Sequence, residues 1–199
     1  MLAALMLLGC FGMASAQSDA EKALQQAKSK ISSASSITAS FSLNMGGGSV
    51  SGTLKAKKSK FSIVTSSYGT WYNGSDLYTY NAQNNETTVM KPTSSELAEA
   101  NPLLYINNAD DYKVTTTKAS KSGVDTVVLI PKKSGSGIKS VTIELNKSTH
   151  LPKSIKITPT SGSAYQLTIS SIKLNSSVAD SSFDYPKSKY PGSKLIDLR

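Results

Sequence analysis

The sequence predicts a mainly β protein: a strongly curved antiparallel sheet of roughly ten strands, with short helices covering its concave face. Three observations predict it. Apolar and polar residues alternate over most of the chain, the mark of strands with one buried face. Gly, Asn and Ser clusters break these runs at short intervals, as hairpin turns require. Helical spacing is confined to a segment after residue 18 and another near residue 97, which makes natural covers for the apolar face of an open sheet.

The opening "MLAALMLLGCFGMASA" is uncharged and ends in Ala-Ser-Ala, so residues 1–16 are read as a signal peptide and 17–199 as a single domain. Cys10, in "LLGC", leaves open an anchored lipoprotein; cleavage after Ala16 would instead remove this lone cysteine. Ala20, Leu24, Ala27 and Ile31 then fall at helical spacing behind an N-cap at Ser18 or Asp19. From Ile37 the period becomes two, and strand-like runs follow through "ETTVMKP" as an antiparallel meander. Residues 94–106 interrupt it as one or two helical turns, with Ser94 or Ser95 as N-cap and Leu97, Leu103 and Leu104 as apolar positions around Pro102. Strands resume from "DYKVTTTKA" to "AYQLTISSIKLN". The tail from Ser181 is expected to be irregular, because Pro186 and Pro191 block ladder pairing.

Charge and chemistry narrow the function. The chain carries +9, but its lysines are dispersed and Arg199 is the single arginine, which argues against base-specific nucleic-acid readout. His150 is the only histidine and lies in a turn between strands, so a metal cluster or a histidine base is not expected. Asp110 and Asp111 read as a loop pair. Ser136-Gly137-Ile138-Lys139 matches S-x-x-K without the helix and following strand that give that motif its chemistry. No cofactor is implied, and a hydrolase has little to work with.

One aromatic-rich stretch, "TWYNGSDLYTYN", reads as a hairpin turning at Asn73-Gly74 as a type I′ pair. Together with "SASSITASFS", "GTLKAKKSKFSI", "NPLLYI", "VVLIPK" and "FDYPKSKYPGSKLID", in this order and spacing, it resembles the LolA family of periplasmic lipoprotein carriers. The resemblance implies an incomplete (half) antiparallel β-barrel that carries the acyl chains of lipoproteins to the outer membrane in a hydrophobic cavity. It further implies a periplasmic location in a Gram-negative bacterium, acylated lipoproteins or other lipids as partners, an inner-membrane release complex, an outer-membrane acceptor, and a monomer. Where the family has Arg-Pro, this chain has Lys-Lys-Ser. Lys57 or Lys58 takes the latch position, and a lysine cannot reproduce the arginine fork.

Strand parity assigns Phe41, Leu43, Leu54, Phe61 and Ile63 to the concave face, with Leu97, Leu103 and Leu104 supplied by the helical cover. Trp71 and Leu77 are expected on that same side, and Tyr78 and Tyr80 as a cross-strand ladder outside. Carriage needs no catalytic residue. The alternatives are a lipid-binding or sensing module of the same fold and a membrane-anchored acceptor held through Cys10.

Overall fold

The computed structural model describes residues 18–115 and 122–199. The expected signal peptide and Cys10 lie outside the described residues. Helix α1 spans Asp19–Ser33, and its start is Ser18: the hydroxyl accepts from the Glu21 amide at 3.2 Å while the Glu21 carboxylate accepts from the Ser18 amide at 2.7 Å. This reciprocal box satisfies two otherwise unpaired donors, a cap contributing about 1 kcal/mol. The 3.6-residue spacing then buries Ala20, Ala23, Leu24, Ala27 and Ile31 on one stripe.

Six strands follow in order: β1 Ile37–Asn44, β2 Ser49–Lys57, β3 Lys60–Thr65, β4 Tyr68–Tyr72, β5 Leu77–Asn81 and β6 Glu86–Met90. Helices α2 (Ser94–Ala100) and α3 (Leu104–Asn107) flank Pro102. The α2 cap is Thr93, one residue before the expected serines, because Thr93 stands three residues ahead of Glu96 and can form the box. Strands β7 Tyr112–Thr115, β8 Val124–Pro131, β9 Ile138–Asn146, β10 Pro152–Pro159 and β11 Tyr165–Leu174 form the second meander.

The tail is more regular than expected. Residues Lys194–Asp197 form a twelfth strand, β12, which pairs in parallel with β6, whereas the other described pairs are antiparallel. Both prolines precede this strand and leave its ladder free. The described strands belong to one open, curved twelve-stranded sheet, ordered β12-β6-β5-β4-β3-β2-β1-β11-β10-β9-β8-β7. The two meanders join along β1 and β11, where the register slips between Ser40 and Phe41. Ser170 is the extra residue, and its hydroxyl donates to the Ser40 carbonyl at 3.1 Å. A bulge bends a strand and strengthens its twist. It also shifts the phase of β11, so that Leu167 and Ile169 before it, and Ile172 and Leu174 after it, all pack against the concave core.

Between β11 and β12 the chain crosses the convex face, placing Phe183 in full burial and bringing Tyr185 and Tyr190 against Trp71 at ring distances of 5.5 and 5.6 Å. This crossing corrects the placement of Trp71. The turn is a four-residue loop, Asn73–Asp76, rather than a type I′ pair: only Gly74 takes a positive φ, 102°, while the Asn73 side chain accepts from the Ser75 and Asp76 amides at 2.9 Å. Tyr72 therefore opposes Leu77, and Trp71 opposes Tyr78. Residues directly opposed across a ladder share a face. Leu77 joins the concave core as expected, but Trp71 shares the convex face with Tyr78 and Tyr80. Those two tyrosines are outside, as expected, yet their partners come from the tail: Tyr78 stacks on Tyr185 at 5.5 Å and Tyr80 meets Tyr190 at 4.0 Å.

Candidate functional site: an apolar cavity at one end of the half-barrel

The concave face is filled along most of its length. Leu54, Phe61, Leu77 and Leu103 are buried in one cluster with α1 and the inward residues of β8–β10. Phe61 is 1% exposed, with its ring 5.6 Å from that of Tyr72. Toward the end where β1 runs out and β2 begins, the packing opens into a cavity of about 500 Å³. Its walls are Phe41 and Leu43 of β1, Ile63 of β3 and Leu167 of β11, with Ala100 at the end of α2 and Pro102 of the α2–α3 connection on the covering side.

The rim mixes polar side chains, Ser67, Asn81 and Gln83, with large apolar ones. Met45 is 64% and Tyr68 45% exposed, and half-buried Val50 lines the cavity with them. Large apolar side chains left wet around a concave opening mark a place that something apolar can cover. Local sequence makes the opening. The Gly46-Gly47-Gly48 run supplies no side chains to close the β1–β2 loop, and Gly52 lets the ring of Phe41 lie across β2. A Cβ on Gly52 would sit 2.5 Å from the Phe41 ring tip and 2.7 Å from the Val64 carbonyl oxygen.

Polar groups border the cavity. Glu99 and Tyr165 line it, and burial, with the Glu99 charge adding to it, pushes the Tyr165 phenol above its ordinary range. Tyr105 of α3, which lines a different cavity, is buried with its hydroxyl lacking a hydrogen-bond partner, and burial likewise raises its phenol. These hydroxyls stay protonated at any physiological pH.

Of the residues singled out from the sequence, Phe41, Leu43 and Ile63 line this cavity together. Leu54, Phe61 and Leu77 share its face but belong to the closed core, and Leu97 packs half-buried against that core. Leu103 and Leu104 line a separate cavity of about 290 Å³ at the opposite end, beside Lys57 and Lys58. The Lys57 ammonium donates to Asp180 at 2.8 Å and to the Val178 carbonyl at 3.4 Å, so it reaches the C-terminal segment rather than the helical cover. Its hydrogen bond, then its charge, hold the Asp180 carboxyl below the usual range. His150 sits at a turn with φ of 58°. Among the described residues no group of three or more His, Cys, Asp or Glu side chains could hold a metal.

Sequence reasoning missed Met45, Val50, Tyr68, Tyr165 and Leu167. Parity alone would have added Met45 and Val50, since Met45 continues the Phe41–Leu43 alternation and Val50 opposes Leu43. Tyr165 and Leu167 depend on the β1–β11 pairing, which joins residues more than 120 positions apart and leaves no local mark.

An open antiparallel half-barrel with a helix-covered apolar face and a cavity at one end defines the class of protein. The model for "Outer membrane lipoprotein carrier protein LolA" matches residues 49–186, and the chain belongs to that family. No curated protein sequence matches the chain. Among solved structures, an uncharacterized conserved protein from Thermus thermophilus is similar at 11% identity, over 90% of this chain and 99% of that one, with a TM-score of 0.59. A LolA superfamily protein from Nitrosomonas europaea matches at 12% identity over 85% and 99% of the two chains, with a TM-score of 0.46. A Pseudomonas aeruginosa MucA/MucB complex matches at 12% over 84% and 61%, with a TM-score of 0.42.

Proposed function

We propose that the protein is a periplasmic carrier that holds the acyl chains of a lipoprotein, or of a lipid of similar build, in the cavity walled by Phe41, Leu43 and Ile63. The observation that supports this most is the pairing of a largely apolar cavity of about 500 Å³ with the exposed apolar side chains of Met45 and Tyr68 at its rim. Each methylene taken from water contributes about 0.8 kcal/mol, so a chain that is only partly enclosed is still held usefully. Its remaining methylenes stay open to a receiving surface, and handing the chain on requires no bond to be made or broken. The reading is therefore of a non-enzymatic, monomeric carrier secreted across the inner membrane, which takes cargo from a release complex there and delivers it to an outer-membrane acceptor.

Mass spectrometry of an organic extract of the purified protein tests this. Acylated lipid is expected from the wild type and is expected to be depleted in Leu43→Glu. Equal amounts of lipid in both would remove the cavity from the account.

A further inference from the structure

Three lysines crowd the two-residue turn between β2 and β3. Lys57 and Lys60 oppose each other directly across the ladder, and Lys58 holds a left-handed φ of 54°. Like charges directly opposed on paired strands are destabilising. A left-handed turn position is filled at lower cost by Gly or Asn than by Lys. Neither choice serves the hairpin.

One carboxylate answers all three. Asp180 accepts from Lys57 at 2.8 Å and stands 4.0 Å from the Lys60 ammonium, and the charges of Lys57, Lys60 and Lys58 all act on it. Three cations facing a single anion leave positive charge in excess. The same turn walls the cavity of about 290 Å³ at the end of the concave face remote from Met45 and Tyr68. Ile31, Ile37, Leu103 and Leu104 line it, together with polar Ser36 and Asn101. Asn107 also lines this cavity, and its Oδ1 atom is buried without a hydrogen-bond partner.

We propose that this end of the half-barrel is a second binding site, for the phosphate group of an anionic amphiphile. Lys58 and Lys60 hold the phosphate oxygens while Lys57 stays paired with Asp180. The first methylenes of the attached chain lie on Leu103 and Leu104. Phosphate free in solution offers the same oxyanion and differs only in lacking the chain. The site shares no wall residue with the apolar cavity and does not depend on its use.

Isothermal titration calorimetry with dodecyl phosphate, inorganic phosphate and uncharged dodecyl maltoside tests the site. The proteins are the wild type, Lys58→Gln/Lys60→Gln and Lys58→Arg/Lys60→Arg, and N-phenyl-1-naphthylamine fluorescence reads the apolar cavity in each. The Gln pair is expected to weaken dodecyl phosphate about tenfold or more, as loss of charge-assisted hydrogen bonds does, and the Arg pair to retain it. Raising NaCl from about 0.05 to 0.5 M should weaken the wild type in the same direction. The naphthylamine signal should not change between variants. Dodecyl phosphate binding the Gln pair as tightly as the wild type, or the wild type no tighter than dodecyl maltoside, would overturn the proposal. Inorganic phosphate binding as tightly as dodecyl phosphate would support the oxyanion site and assign it to the free ion. Loss of the naphthylamine signal alone, with dodecyl phosphate retained, would count against the acyl-carrier reading and support the second site.

Discussion

Phe41 and Phe61 lie on the same face of the sheet and do different work. The ring of Phe41 borders open space; that of Phe61 is enclosed by core on all sides. Phe61→Ala should therefore cost about 3–5 kcal/mol of stability in a denaturant titration. Leu43, half-buried at the cavity wall, separates binding from folding: Leu43→Glu should lower stability by about 1 kcal/mol or less and weaken N-phenyl-1-naphthylamine about tenfold or more. Equal losses for both properties would make Leu43 ordinary core. At Gly52 a side chain meets the Val64 carbonyl, which is backbone and cannot swing aside, as well as the Phe41 ring. Gly52→Val should destabilise by about 1–3 kcal/mol and weaken the same probe by driving the ring into the cavity. A thermal melt and a probe titration unchanged from the wild type would show that β2 yields more easily than its packing implies. Parity in the sequence placed Phe41, Leu43 and Ile63 on the right face. It could not distinguish lined space from filled core, because that distinction depends on what the opposite side of the half-barrel supplies.

The β4–β5 hairpin shows what a single element can and cannot disclose. Alternation placed Tyr78 and Tyr80 outside, and it also forbids Trp71 from sharing a face with Leu77 in either a two-residue or a four-residue loop; the expectation for Trp71 set hydrophobicity above parity. Nothing in the hairpin itself could reveal the strap that covers it, since Tyr185 and Tyr190 arrive from more than 100 residues away. Arg199 fastens this strap. It donates to Asp197 and to Asp76 of the hairpin loop, and its hydrogen bonds pull the Asp197 carboxyl down to about 2. Lys91, and then Arg199, hold Asp76 low as well. A carboxylate with a depressed folded pKa contributes stability that is present above its ordinary value near 4 and is lost as pH falls toward the folded value. Trp71, the only tryptophan, packs against both strap tyrosines and reports on the fastening. Its emission should shift to the red as pH falls from about 4 to 2, with a step of the same sign from Asp180. Arg199→Ala should remove the Asp197 part of that change and reduce the Asp76 part, leaving what Lys91 and Lys57 maintain; an unaltered acid profile in this variant would show that the strap is held without Arg199.

At the scale of the molecule, two meanders joined at β1 and β11 make one sheet whose concave side is packed at the middle and open at one end. The strand periodicity, the two helical segments and the Ser18 cap of the first made the half-barrel legible from the sequence. The junction of the meanders, the bulge at Ser170 and the parallel β12 were not, since each is settled by pairing between distant segments rather than by local pattern. The cavity is a product of that junction: Leu43 opposes Leu167 across it, and neither wall exists without the other. Charge divides the same concave face, with the lysine-rimmed end and the apolar mouth lying at opposite limits of β1–β3.

The most direct test of the central claim is photo-crosslinking with a diazirine-bearing fatty acid, followed by peptide mass spectrometry to locate the labelled residues. An acyl chain held at the mouth should label the segments containing Leu43, Val50, Tyr68 and Leu167, and an excess of unlabelled palmitate should suppress that labelling. Labels confined to the convex tyrosines, or spread over the surface without competition by palmitate, would contradict the account.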